Sequence, residues 1–169
     1  MPHKKQRAFN LPELLIVVTL LSLLALIAVP NLANLIEKNR IYSLRNLIQN
    51  QLLLARTNSV LHNRDIEVCG SSNGQLCDDQ WSRGWLIRIV SDNQIIQQTQ
   101  LNSDARITWS GATQKIRFHS NGTSPLGNGR FYFCDRKQDV ILQIVINRQG
   151  RLRQASGLEP EQNQTIKCS

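Results

Sequence analysis

A chain of 169 residues has room for one domain with a modest core, and 41% hydrophobic with 19% charged residues excludes a disordered polyelectrolyte. The formal charge of +8 is less ordinary. It points to polyanions, either nucleic acid or a negative membrane surface, or else to a solvated basic face with no partner.

The charge is unevenly placed. Lys4, Lys5 and Arg7 precede an apolar run, and from Lys38 to Arg64 five bases (Lys38, Arg40, Arg45, Arg56 and Arg64) stand without an acid among them. Six acids oppose Arg83 and Arg88 over residues 65–105, and ten bases oppose four acids from Arg106 onward.

Residues 14–29 (LLIVVTLLSLLALIAV) hold no charge, and only Thr19 and Ser22 are polar. About 20 such residues in a helix span a bilayer core. The bases before the run keep the N-terminus cytoplasmic and send the remainder across. A secretory signal peptide would need a small-residue cleavage site after the run, which Leu26-Ile27-Ala28 and Asn31-Leu32-Ala33 serve poorly. Nor would it carry Glu13, a carboxylate whose cost at the bilayer edge implies a task.

From Asn31 to about Asn63 the helical pattern continues. Ile41, Leu44, Ile48, Leu52 and Ala55 form one apolar stripe, predicted to pack on a sheet, with Lys38, Arg40, Arg45 and Arg56 facing outward or along its edges. Asn63-Arg64-Asp65 ends the helix.

Period-two alternation follows at Trp85–Val90, Lys115–His119 and Arg130–Phe133, and residues 140–147 (VILQIVIN) read as a more buried strand. Turn signals separate these runs at Ser71–Gly74, Ser91–Asn93, Ser120–Gly122 and Leu126–Gly129. The fold class is α+β: one long N-terminal helix packed on mostly antiparallel sheets of six to eight short strands.

Cys69, Cys77, Cys134 and Cys168 fit no zinc spacing, and two disulfides in an oxidising compartment account for them. Four cysteines allow three connectivities. Cys69 and Cys77, near neighbours across a turn, are expected to pair. Cys134–Cys168 would then tie the tail 154–167 beside the preceding strand.

No catalytic constellation is visible. His62 and His119, the histidines beyond the leader, have no paired ligand, and there is no G-x-S-x-G or phosphate-cradling glycine loop. The chain reads as a non-enzyme without metal or cofactor. Binding is the stronger reading. Arg148, Arg151 and Arg153 fall within six residues, with Gly150 supplying a turn. Their planar forks suit phosphate oxygens, which would be contacted without sequence preference; the plainer alternative is that they keep a strand edge soluble. Lys115, Arg117 and Lys167 are weaker candidates to extend the patch.

Arg7-Ala8-Phe9-Asn10-Leu11-Pro12-Glu13-Leu14-Leu15 resembles the type IV prepilin signature. The resemblance implies cleavage between Ala8 and Phe9 by prepilin peptidase, which also methylates the new amine, and a Glu13 carboxylate that pairs with the Phe9 amine of a neighbouring subunit. It divides the chain into a leader (1–8), a transmembrane and fibre-core half-helix (9–30) and a periplasmic domain (31–169). Pro30 matches the proline where family stems bend. Ala8 replaces the usual Gly, and Pro12 stands where an aliphatic residue is commoner.

Trp81-Ser82-Arg83-Gly84-Trp85 resembles the W-x-x-G-W element of the GspH/FimT group, and Gly150-Arg151-Leu152-Arg153 its FimT branch's G-R-x-R segment. Both tryptophans are expected in the core. The resemblance implies a minor pilin that binds double-stranded DNA without sequence preference, through the C-terminal arginine cluster, during uptake in natural transformation. It would be anchored once in the inner membrane, with its domain periplasmic, then carried in the fibre or at the cell surface among other pilin subunits. The alternative is a structural minor pilin or type II secretion pseudopilin that acts in fibre initiation or assembly without binding DNA.

Overall fold

The computed structural model describes residues 10–101, 105–162, 166 and 168. One helix, α1 (Leu11–Leu61), precedes eight strands: β1 (Ile66–Gly70), β2 (Gly84–Ile89), β3 (Ile95–Gln100), β4 (Ile107–Gly111), β5 (Lys115–Phe118), β6 (Gly129–Cys134), β7 (Val140–Ile146) and β8 (Leu152–Ser156). The chain falls into two compact units that meet at Asn39 and Arg40 within α1.

In the first unit, α1 begins with the Leu14 N–H donating to the Asn10 carbonyl, 3.1 Å. Pro12 sits in the first turn, where a missing N–H leaves no bond unmade, and Glu13 suits the positive end of the helix dipole. The apolar residues from Leu11 to Ile36 are exposed or nearly so, and the segment is long and apolar enough to cross a membrane. Three of its polar side chains bond their own backbone. Thr19 Oγ1 donates to the Ile16 carbonyl at 2.8 Å, Ser22 Oγ to Val18 at 2.8 Å, and Asn31 Nδ2 to Ile27 at 2.9 Å. That is the arrangement a medium without water requires. The helix runs through Pro30, at the loss of one backbone bond.

In the second unit, α1 buries Ile41, Ile48, Leu52 and Ala55. Leu44 is only partly buried against the same core. Gln51, unforeseen in that stripe, is buried because it serves two partners: its carbonyl oxygen accepts from the Trp85 indole, and its Nε2 donates to Thr99 Oγ1 at 2.7 Å. The helix stops two residues before Asn63, which takes φ 49°, while the Arg64 N–H reaches back to the Ser59 carbonyl at 3.1 Å. This left-handed cap satisfies a carbonyl the ending helix would orphan.

The strands form two antiparallel sheets, ordered β3-β2-β1-β5 and β4-β6-β7-β8. Between them and the helix lies the main core, which holds Trp81, Trp85, Phe118, Phe131 and Phe133, and a smaller cluster gathers Tyr132, Cys134, Val140 and Cys168. Phe131 meets Trp81 edge-on at 4.9 Å and Trp109 at 4.6 Å. Gly84 explains the spacing of the tryptophan element. Its φ is 151°, and a Cβ there would lie 2.3 Å from the Thr99 carbonyl oxygen. Alternation understates burial in two strands: Leu86 in β2 and Tyr132 in β6 are buried as well as their apolar neighbours. Disulfides join Cys69 to Cys77 and Cys134 to Cys168.

Candidate nucleic-acid interface

The arginine segment is a hairpin between β7 and β8. The Asn147 N–H donates to the Arg151 carbonyl at 3.1 Å, the Gly150 N–H to the Asn147 carbonyl at 2.9 Å, and the Arg151 N–H to Asn147 Oδ1 at 2.9 Å. Gly150 takes φ 70°, and a Cβ there would stand 2.3 Å from the Gly122 carbonyl oxygen. Only glycine allows both the turn and that approach. The tip is also clamped from outside. The Ser124 N–H donates to the Arg148 carbonyl at 2.9 Å, and Arg56 from α1 donates to the carbonyls of Gly122, at 2.9 Å, and Gln149, at 3.3 Å.

Arg148, Arg151 and Arg153 are all exposed. Among the described residues, no side chain engages the guanidinium of Arg148 or Arg151. Arg153 differs. Its Nη1 lies 2.6 Å from Glu159 Oε1, and the other oxygen of that carboxylate is taken by Arg130. Hydrogen bonds from Arg153 and then Arg130 hold the Glu159 carboxyl far below its ordinary value, at about 2. The sequence shows no acid between Val140 and Leu158, and the next residue supplies one.

The helix adds two of the cations expected outward or along the edges of its apolar stripe, Arg45 and Arg56. Gln154 points to the opposite side of β8 from Arg153. Its carbonyl oxygen accepts from Arg45 Nη1 at 2.8 Å, and its amide bonds Gln49. Arg45 also stacks over the Tyr42 ring at 5.1 Å. Arg45 and Arg56 therefore flank the hairpin that carries Arg148 and Arg151. No signal in the sequence placed them there, since the pairing spans about 100 residues of chain.

Lys115 and Arg117 lie in the other sheet, on β5, beside a cleft of about 390 Å³ lined by Glu67, Thr113, Gln114, His119 and Leu126. They serve a different purpose. The side chain of Glu67 is 4% exposed and receives Arg88 Nη2 at 2.6 Å, Arg117 Nη2 at 3.1 Å and Lys115 Nζ at 3.8 Å. Burial pushes the Glu67 carboxyl up, but the hydrogen bonds from Arg88 and Arg117 and the charges of Lys115 and Arg88 outweigh it and hold the carboxyl low. Glu67 also approaches Cys69 and Cys77. Those sulfurs are bonded to each other, which leaves no thiolate for a metal. His119 Nδ1 contacts Asp65 Oδ2 at 2.8 Å, and His62 is exposed.

Ala8, Phe9 and Lys167 lie outside the described residues. Glu13 is exposed in the first turn of α1.

A family model described as type II transport protein GspH matches residues 45–150. Arg148 falls inside that match, whereas Arg151, Arg153 and Glu159 lie beyond it. No curated protein sequence matches the chain. Similar solved structures include two crystal forms of the type IV minor pilin FimU of Pseudomonas aeruginosa. The first is 22% identical at a TM-score of 0.54, over 79% of this chain and 98% of that one. The second is 21% identical at 0.53, over 76% and 99%. The minor pseudopilin EpsH of the Vibrio cholerae type 2 secretion system is 15% identical at 0.44, over 71% and 96%. The fold is thus that of the FimU structures: a long apolar N-terminal helix and two antiparallel sheets.

Proposed function

The chain belongs to the GspH family, and on that premise we propose that it is a type IV minor pilin that binds double-stranded DNA without sequence preference, for uptake in natural transformation. One observation carries this reading: Arg148 and Arg151 stand exposed, and unpaired among the described residues, on a hairpin tip that hydrogen bonds from Ser124 and Arg56 fasten. Unpaired guanidinium groups on a fixed backbone meet phosphate oxygens with little loss of freedom. Arg45 and Arg56 raise the local potential, although their own bonds are partly committed.

The first unit supplies the anchor. Prepilin peptidase removes residues 1–8, and the amine of Phe9 is methylated. The helix holds the protein in the inner membrane with its domain in the periplasm. On assembly, Glu13 of one subunit pairs with the Phe9 amine of the next, since a carboxylate in lipid needs a cation. Other pilin subunits are the partners along this helix.

A second reading has its own support. The family description names type II transport, which suits a pseudopilin that acts in fibre initiation or assembly without touching DNA. Gel shifts with duplex DNA and the domain from Arg40 onward separate the two. Retardation that is independent of sequence and weakened by salt supports the first, and no retardation at low salt supports the second. In cells, the triple Arg148/Arg151/Arg153→Gln variant should lose DNA uptake yet still assemble pili. Loss of both would assign the arginines to assembly.

A further inference from the structure

We infer that Arg130 and Arg153 form a second phosphate seat, which the carboxylate of Glu159 fills until a phosphodiester displaces it. The inference rests on the DNA reading above and adds a site to it. Arg130 on β6 and Arg153 on β8 both stand in register with Val145 on the strand between them, so their side chains leave the same face of the sheet. Each donates to a different oxygen of one carboxylate. That is the geometry in which two guanidinium groups hold two oxygens of a phosphate.

The seat is built into the sheet. Arg130 Nη1 also donates to Gln143 Oε1 at 3.2 Å, and Gln143 is fully buried on β7, its own amide bonded to the Gly157 carbonyl and to Gln162 Oε1. The occupant, by contrast, belongs to the tail. Glu159 follows β8 in a segment whose far end is tied to β6 by Cys134–Cys168. Outside any strand, its backbone is held by Gln162, whose Oε1 accepts from the Glu159 N–H at 2.7 Å, so only the side chain has to turn away for the seat to open.

Solvent reaches the seat: the side chains of Arg153, Arg130 and Glu159 are 56%, 29% and 26% exposed. Ion pairs that water reaches are screened by salt, so a polyanion that releases its own counterions can compete for the two arginines. Glu67 and its three cations make the opposite case. That carboxylate is a buried strand residue and cannot be exchanged.

The test uses the full chain in detergent micelles, with arginine-selective isotope labelling. In Glu159→Gln, millimolar inorganic phosphate should shift the side-chain Nε–Hε signals of Arg130 and Arg153, and in the parent the same shift should need several-fold more phosphate. Glu159→Gln should also bind duplex DNA several-fold more tightly, with a log–log salt slope steeper by about 0.9 for each phosphate gained. Glu161→Gln, the same charge change two residues on, should leave both readings near the parent. Adding Arg130→Gln to Glu159→Gln should abolish the gain.

Unmoved arginine signals in Glu159→Gln overturn the seat. So does a DNA gain that Glu161→Gln reproduces, or a parent that binds DNA while Glu159→Gln binds no better. If phosphate moves both signals but neither protein binds DNA, the seat stands and the DNA reading falls.

Discussion

Each charged side chain on the sheets is defined by what it faces. Glu67 is the clearest case, a buried carboxylate answered by Arg88, Arg117 and Lys115. Glu67→Gln should destabilise the domain by about 2–3 kcal/mol, less than breaking a fully buried pair because two of the partners reach water. The pH dependence has a definite sign. The folded carboxyl lies below its ordinary 4.5, so its stabilisation is complete above that pH and is lost as pH falls through the lower folded value. Melting temperatures measured through the acid range should fall more steeply for the parent than for Glu67→Gln. Equal slopes would show that the carboxylate titrates as an ordinary one. Among the arginines, partners decide what a substitution removes. Arg148→Gln and Arg151→Gln delete cations that no side chain among the described residues engages. Arg153→Gln deletes one that Glu159 already offsets, so it should weaken DNA binding less than either, as competition binding would show.

Two elements carry the arrangement, the β7–β8 hairpin and the tail fastened across it. Gly150→Ala would force φ 70° on a residue with a Cβ and press that Cβ against the Gly122 carbonyl. A loss of about 1–3 kcal/mol in denaturant titrations is expected, with weaker DNA binding as the tip shifts. Replacing Cys134 and Cys168 by Ser opens a 34-residue loop and should lower stability by about 2–4 kcal/mol. The apolar stripe of α1, the alternation in β2, β5 and β6 and the turns between them were legible in the sequence, because period and punctuation are local properties. The strands β1, β3, β4 and β8 were not. In β1 both faces are buried, since Glu67 and Cys69 are covered by ion pairs and a disulfide, so its mixed residues show no alternation. In β3 and β8 most residues are polar and exposed edge positions, which leaves little apolar signal to read.

At the scale of the molecule, the proposed function assigns anchoring to the first unit and binding to the second. The mature protein should begin at Phe9, and N-terminal analysis of the exported form that finds another start would remove the prepilin reading. Glu13→Ala should insert in the membrane yet be lost from purified fibres. The three clustered arginines were legible in the sequence because they are neighbours in the chain. Their surroundings were not, since Arg45 and Arg56 reach the hairpin, and Arg130 reaches Glu159, only through tertiary pairing.

The central claim is that unpaired guanidinium groups on the hairpin tip contact phosphates, and the salt dependence of duplex binding tests it most directly. The affinity of the parent should fall linearly with log salt, with a slope of about −0.9 per contact. Arg148→Gln and Arg151→Gln should each flatten that slope by about 1, alike on every sequence, with folding unchanged. A parent that does not bind, or a double variant whose slope and affinity match the parent, would contradict it.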